Sequence, residues 1–108
     1  MKKKIKVQFL HTVDCHVWKV GLDALESALR EARLPVSYEI ILVTSAAQAE
    51  KLRFMGSPTI LINGRNVDPM RRKLKKTIYA GCTIYLWKGK SYEYPPKEMI
   101  MVALKERK

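Results

Sequence analysis

Cysteines and long apolar runs are both scarce in this sequence. The 108 residues include two cysteines, too few for the disulfide framework of a small secreted domain. No segment approaches the roughly 20 apolar residues that cross a bilayer, and polar residues interrupt the N-terminal region where a signal peptide needs a continuous apolar stretch. These absences predict a cytoplasmic protein with no membrane partner, folded as one domain over residues 1–108.

Acidic residues are few relative to basic ones. There are 21 Lys and Arg against 10 Asp and Glu, a formal net charge of +11. The basic residues gather in KKKIK at the N-terminus, in 71-RRKLKK-76 and in KERK at the C-terminus. This charge allows attraction to nucleic acid or another polyanion. However, no nucleic-acid-binding spacing accompanies it, and a charge run is usually a solvated face. Nucleic acid therefore remains an alternative partner.

Several common catalytic patterns are missing as well. The sequence has no phosphate-binding glycine loop, no paired carboxylates and no serine–histidine arrangement. Four side chains are candidate metal ligands: His11, Cys15, His16 and Cys82. The spacing H-x3-C-H is not a zinc pattern, and adjacent residues at a helix start point in different directions. The sequence therefore predicts no metal site and no cofactor.

Alternating strand and helix patterns fill the first half of the chain. Apolar residues recur every three or four positions after His16, which predicts a helix that Pro35 ends. Ser45 and Gln48 form a capping box at the start of a second helix, and Gly56 is its expected stop. The predicted elements are a strand at 5–10, a helix at 16–33, a strand at 38–43 and a helix at 46–55.

The second half favours hairpins. Asn63-Gly64 is a strong turn signal after a strand at 58–62, and Asp68-Pro69 is typical of the start of a short helix. The remaining predictions are that this helix runs through Lys76, that 78–87 is a strand, that 88-KGK-90 turns it back onto 91–94, and that Pro95-Pro96 opens a last helix. The order β-α-β-α-β-β-α predicts an α/β fold with a mixed central sheet flanked by helices.

These elements and two motifs resemble the thioredoxin fold. A cysteine follows the first strand at the start of a helix, in 12-TVDCHVWK-19, and 57-SPT-59 opens a strand after the second helix. The resemblance is closest to small thioredoxin-like proteins that carry a stretch like 52-LRFMGSPTILINGRNVDP-69 and a later cysteine like that in 81-GCTIY-85. It covers nearly the whole chain. Two positions depart from the usual motif. His16 follows Cys15 where the motif has a proline, and Trp18 occupies the position of the second thiol.

The resemblance implies thiol–disulfide chemistry at Cys15. The positive end of a helix favours the thiolate, which is the nucleophilic form of cysteine. In the thioredoxin fold the proline corresponding to Pro58 is cis and lies beside the cysteine, so Ser57 and Pro58 are the expected substrate-binding positions. Trp18 is expected to pack beneath the sulfur, and His16 either adds charge beside it or points into water.

Cys82 is the candidate resolving thiol. It lies in a predicted strand expected to run antiparallel to the strand after Pro58, so its approach to Cys15 depends on register. A buried, unreactive cysteine is the alternative. The expected partners are a disulfide-containing protein or a low-molecular-weight thiol, and either Cys82 or an external thiol would release the adduct.

Two other functions compete with thiol chemistry. The fold can serve as a non-catalytic binding module that uses its basic surface for a polyanion or protein partner. It can also serve as an interaction unit if its C-terminal aromatic residues form an exposed patch, although ordinary strand packing is the favoured interpretation of these side chains. The residues concerned are Tyr85, Trp87, Tyr92 and Tyr94.

Overall fold

The chain is an α/β fold with a mixed central sheet and helices packed around it. The computed structural model describes residues 5–13, 15–73, 78–82 and 84–106, the strand at 78–82 by its backbone. The elements are β1 (Val7–His11), α1 (Trp18–Glu31), β2 (Glu39–Leu42), α2 (Ala46–Leu52), β3 (Met55–Ser57), β4 (Thr59–Ile62), β5 (Arg65–Asn66), α3 (Pro69–Arg72), β6 (Ile78–Cys82), β7 (Tyr85–Trp87), β8 (Lys90–Tyr92) and α4 (Lys97–Glu106).

The main sheet has the strand order β2-β1-β4-β5. Strand β1 is parallel to β2 and antiparallel to β4, and β4 is antiparallel to β5. Parallel neighbours need a long crossover, which contains α1, whereas antiparallel neighbours can be joined by a tight turn. Asn63 and Gly64 make that turn between β4 and β5 with φ values of 52° and 82°. The predicted hairpin is therefore confirmed.

Alternate residues of β1 face two separate hydrophobic clusters. Phe9 belongs to the cluster that contains Leu25 of α1 and Ile100 of α4. Its neighbour Leu10 belongs to the cluster that contains Ala49 of α2. Because side chains alternate along a strand, this division places α1 and α4 on one face of the sheet and α2 on the other. Strand β1 is thus at the centre of the core, and the loop after it starts from a fixed point.

The start of α2 was predicted correctly, but its end was not. The Ser45 Oγ accepts a hydrogen bond from the Gln48 backbone N–H at 3.1 Å, which is one half of a capping box. In place of the other half, the Gln48 Oε1 accepts from the Thr44 N–H at 2.8 Å. The helix ends at Leu52, because Arg53 adopts the left-handed conformation with φ 57°. Gly56, the expected stop, lies inside β3. The chain must turn early because it then buries Phe54 completely.

The segment at 78–87 is two strands rather than one. Strand β6 pairs in parallel with β3, and β7 pairs with β8 in a separate hairpin. The prediction that this segment runs antiparallel beside the strand after Pro58 is wrong. Both edges of β4 are occupied by β1 and β5, so β6 pairs instead with β3.

The short elements near the C-terminus follow their local signals. Lys88 and Gly89 have φ values of 50° and 81° at the turn between β7 and β8. Asp68 caps α3 by accepting a hydrogen bond from the Met70 N–H at 3.0 Å. Helix α3 ends at Arg72, and the predicted continuation at 74–76 lies outside the described residues. Within the described ranges, no helix has the length and apolar character to cross a membrane.

Candidate functional site around Cys15

Cys15 lies in the short segment between β1 and α1, and its side chain is buried. It is a free thiol and only 1% exposed. Its backbone N–H donates to the Thr12 carbonyl oxygen at 3.3 Å, so Thr12 and Cys15 are the ends of a short turn. Helix α1 begins at Trp18 with Val17 as its N-cap, so the predicted helix start at 16 is two residues too early. Cys15 therefore precedes the helix.

A hydrogen bond joins this segment to the Ser57–Pro58 turn. The Thr12 N–H donates to the Ser57 Oγ at 3.1 Å. Thr12, Ser57 and Pro58 are all buried, and the Ser57–Pro58 peptide bond is cis, as the resemblance implies. The Cys15 backbone is hydrogen-bonded to Thr12, and Thr12 is hydrogen-bonded to Ser57. The structure therefore brings the segment that carries the predicted nucleophile beside the predicted binding turn. The site is closed to a bulky substrate in this conformation.

The turn also packs against the first half of α1. A β-carbon built on Gly21 would lie 3.2 Å from the Pro58 Cγ and 3.2 Å from the Tyr94 Cβ. Such distances are shorter than ordinary van der Waals contact, so the absence of a side chain at this position allows the helix to approach the proline ring. Gly21 therefore helps to set the distance between α1 and the Pro58 turn.

Tyr85 holds the other side of Pro58. Its side chain is completely buried, and its hydroxyl donates to the Pro58 carbonyl oxygen. Burial raises the pKa of the Tyr85 hydroxyl well above its ordinary value, and the positive charge of Arg71 opposes that rise. The Tyr85 hydroxyl therefore holds the Pro58 carbonyl oxygen in place within the buried site.

Arg71 contacts the Tyr85 ring and makes hydrogen bonds to the backbone of neighbouring segments. Its guanidinium carbon lies 4.1 Å from the centre of the Tyr85 ring. The same group donates to the carbonyl oxygens of Met55 at 2.8 Å and Ile84 at 2.7 Å, and pairs with the Asp68 carboxylate at 3.0 Å. Both charged side chains are largely buried. Sequence reasoning missed Arg71 because it sits in a basic run that looks solvated.

Two residues of the basic run 71-RRKLKK-76 therefore make hydrogen bonds and ion pairs within the fold. Besides Arg71, Arg72 donates from Nε to the Asn66 carbonyl oxygen at 2.6 Å and pairs with Glu106 at 3.3 Å. A cation held by internal acceptors is less available to a polyanion. Lys73 is exposed, and the remaining basic residues of 71-RRKLKK-76 lie outside the described residues.

Trp18 and His16 occupy different environments. The Trp18 ring stacks on the His11 ring with centroids 4.4 Å apart and planes 8° from parallel. Trp18 is also packed against the main hydrophobic cluster, which supports its interpretation as a packing residue. The His16 side chain is exposed. His11, considered above only as a metal ligand, instead donates a hydrogen bond from its Nδ1–H to the Thr12 carbonyl oxygen at 3.0 Å.

Cys82 lies at the end of β6, directly opposite Ser57 in the register of β3 and β6. Neighbouring strands lie about 4.8 Å apart, so the backbones of Ser57 and Cys82 are adjacent. This pairing places both cysteine-bearing segments beside Ser57. The role of Cys82 as the resolving thiol stays a prediction. Because β6 occupies one edge of β3, a substrate strand cannot add at that edge without displacing it.

Three of the four C-terminal aromatic residues pack against the core. Tyr85 is fully buried, and Trp87 and Tyr92 pack against the main cluster. The Trp87 Nε1 also donates to the Glu98 carboxylate at 3.4 Å. These contacts confirm the packing interpretation of the three side chains, and the proposed aromatic patch is not formed by them. Among residues that the structure describes, no group of three or more His, Cys, Asp or Glu is placed to bind a metal.

The chain belongs to a protein family whose model matches residues 5–104. That family is described as a domain of unknown function, DUF2703. The match includes both cysteines, the Ser57–Pro58 turn and Arg71, so the whole candidate site lies within the family domain. Neither the curated proteins nor the solved structures contain a match to this chain.

Proposed function

We propose that this protein has a thioredoxin-like fold and carries out thiol–disulfide exchange through Cys15. The observation that carries the proposal is the position of Ser57 between the two cysteine-bearing segments. Its Oγ accepts from Thr12, which is bonded to Cys15, and its backbone is opposite Cys82. The order of the first elements, β-α-β-α-β, and the mixed sheet also support this fold.

The reaction begins when the Cys15 thiolate attacks one sulfur of a substrate disulfide. A new sulfur–sulfur bond forms between Cys15 and that sulfur, the substrate disulfide breaks, and the second substrate sulfur leaves as a thiolate that takes up a proton. A second thiolate, from Cys82 or a low-molecular-weight thiol, then attacks the Cys15 sulfur of the mixed disulfide, forms a new disulfide with Cys15 and releases the remaining substrate sulfur as a thiol. Cys15 and the second thiol together supply the two electrons that reduce the substrate disulfide.

Burial limits which substrates react first. Cys15 is 1% exposed, and Ser57 and Pro58 are buried beside it. A protein disulfide reaches the sulfur only if neighbouring residues move away from Cys15, whereas a small disulfide requires a smaller movement. We therefore expect low-molecular-weight disulfides to react faster than protein disulfides.

The test is mixed-disulfide formation with oxidised glutathione, followed by intact mass and peptide mapping. The wild-type protein and Cys82→Ser should acquire one glutathionyl group on Cys15, and Cys15→Ser should lack it. If Cys82 is the resolving thiol, the adduct should accumulate in Cys82→Ser and be replaced by an internal disulfide in the wild type.

Unfolding is the matched control for this experiment. The rate of adduct formation should exceed the rate of global unfolding, measured on the same protein by denaturant jump. An adduct on Cys15 that forms only at the unfolding rate would contradict the proposal, since the folded site would then be inert.

A further inference from the structure

The Thr12 hydroxyl is buried in the candidate site without a hydrogen-bond partner. Thr12 is 5% exposed, and its Oγ1 has no partner among the described residues. The other hydroxyls at this site are engaged: Ser57 accepts from the Thr12 N–H, Thr59 donates to the Gly56 carbonyl oxygen, and Tyr85 donates to that of Pro58. Buried polar groups in native proteins are nearly always paired. The Thr12 hydroxyl is therefore available to a ligand.

The backbone of Thr12 is hydrogen-bonded to that of Cys15, so the hydroxyl and the thiol belong to two buried residues at the ends of one short turn. Its N–H is bonded to the Ser57 Oγ at 3.1 Å, and its carbonyl oxygen accepts from the Cys15 N–H at 3.3 Å. The ends of such a turn lie within about 7 Å of each other. A molecule that reaches the Cys15 sulfur thus enters a turn that carries a hydroxyl with no hydrogen-bond partner among the described residues.

The ligand must be small and must present an oxygen. Cys15 is 1% exposed, which favours a molecule little larger than water over a peptide or an aromatic disulfide. A hydroxyl donor is best satisfied by oxygen, and the bond is stronger when the acceptor carries negative charge. Hydrogen peroxide meets both conditions, because its attack by a thiolate develops negative charge on oxygen.

We propose that Cys15 reacts with hydrogen peroxide to form a sulfenic acid, and that the Thr12 hydroxyl donates to the peroxide oxygen during the reaction. The Cys15 thiolate attacks one oxygen, a sulfur–oxygen bond forms and the oxygen–oxygen bond breaks. The other oxygen leaves as hydroxide and takes the proton given up by the thiol, forming water. Sulfur loses two electrons and the peroxide gains them.

The sulfenic acid then condenses with a thiol and releases water. Cys82 and a low-molecular-weight thiol are the two candidates, as in the proposed exchange reaction. The peroxide reaction requires a reactive Cys15 but does not require disulfide exchange. The protein can fail one test and pass the other.

The experiment measures how fast hydrogen peroxide converts Cys15 to a form that a dimedone-type reagent traps, using intact mass. The background is Cys82→Ser, so that no second thiol in the chain consumes the product. Thr12→Val removes the hydroxyl at nearly constant volume and should slow trapping by about tenfold or more, the effect of losing a hydrogen bond to a charged group. Thr12→Ser keeps the hydroxyl and should stay within about threefold of the parent.

Two controls separate this role from structural support. A neutral alkylating agent should modify Cys15 at the same rate in the parent and in Thr12→Val, because alkylation does not place charge on an oxygen. The valine variant should also unfold at the same or a higher denaturant concentration, since it removes an unpaired buried hydroxyl. Equal rates of peroxide oxidation in the parent and in Thr12→Val would overturn the proposal. The Thr12 hydroxyl would then only bind a water molecule. Trapping at the rate of global unfolding would also overturn it.

Discussion

The two sides of the candidate site are held in place very differently. The Pro58 side is fixed by side-chain hydrogen bonds from Tyr85, by Arg71 at the Met55 carbonyl and by the close approach of Gly21. In the described part of the Cys15 side, the backbone of Thr12 makes the hydrogen bonds, and α1 begins at Trp18 with an N-cap residue, Val17, that makes no side-chain capping bond. Val13, on the same side, is 84% exposed.

The difference shows how a buried thiol can still react. Regions with few buried contacts open at lower free energy than the core. We therefore expect the Cys15 side of the site to open at a lower free energy than the Pro58 turn.

Removing Arg71 should have the largest effect on the fixed side. Arg71→Met leaves the Asp68 carboxylate, 6% exposed, without its cation, and the loss of one partner of such a pair typically costs about 3 kcal/mol. The free energy of unfolding, measured by urea denaturation, should fall by that amount.

Arg72→Met is the matched control, because its partner Glu106 is 49% exposed. Exposed ion pairs contribute about 1 kcal/mol or less, so this variant should lose much less stability. Equal losses of unfolding free energy in Arg71→Met and Arg72→Met would contradict the assignment of Arg71 as the residue that stabilises this side of the site.

Tyr85→Phe should have an intermediate effect that depends on pH. The variant leaves the Pro58 carbonyl oxygen without its donor, which costs about 1–2 kcal/mol near neutral pH. The pKa of Tyr85 is raised by burial, so the folded protein keeps this proton where the unfolded chain releases it. Its contribution is complete below the ordinary tyrosine pKa near 10 and is lost as the pH rises above that value.

Urea denaturation of the wild type and Tyr85→Phe between pH 8 and pH 11 measures this dependence. The stability difference between the two proteins should shrink toward the alkaline end, since the wild type alone must keep a buried phenol protonated. A difference that stays constant across the range would place the Tyr85 hydroxyl in contact with water.

Gly21→Ala should have the smallest effect of the three. Alanine gains about 1 kcal/mol of helix propensity over glycine, but overpacking against Pro58 and Tyr94 costs roughly 1–3 kcal/mol. We expect a small net loss of stability and faster alkylation of Cys15, because α1 must move away from the turn. Asp23→Ala, at an exposed position of α1, is the control and should change neither property appreciably. A net gain of stability in Gly21→Ala would contradict this expectation and show that Pro58 moves to make room for the added methyl group.

Local elements were predicted well where a short motif specifies its own hydrogen bonds. The capping residues Ser45 and Asp68 and the turn at Asn63-Gly64 all appear as predicted. Element ends were less accurate: α2 stops at Leu52 because the chain turns to bury Phe54. The local sequence does not predict this turn, because the turn depends on the burial of Phe54 against residues distant in the chain.

The candidate site was predicted in part. Cys15, Ser57 and Pro58 could be proposed from their motifs, and the structure brings their segments together. Arg71 and Tyr85 could not be proposed in the same way. One is in a basic run and the other in an apolar run, and each resembles an ordinary residue of its type until the packing around it is known.

By itself, the sequence determined the helix caps, the tight turns and the alternation of apolar residues that divides the core into two faces. These features depend on atoms a few positions apart in the chain. The tertiary structure alone decided that Cys15 is buried, that β6 pairs with β3, and that the Arg71 guanidinium lies on Tyr85. Those outcomes depend on which strand edges remain free and which charges find acceptors once distant segments pack, and no local pattern contains that information.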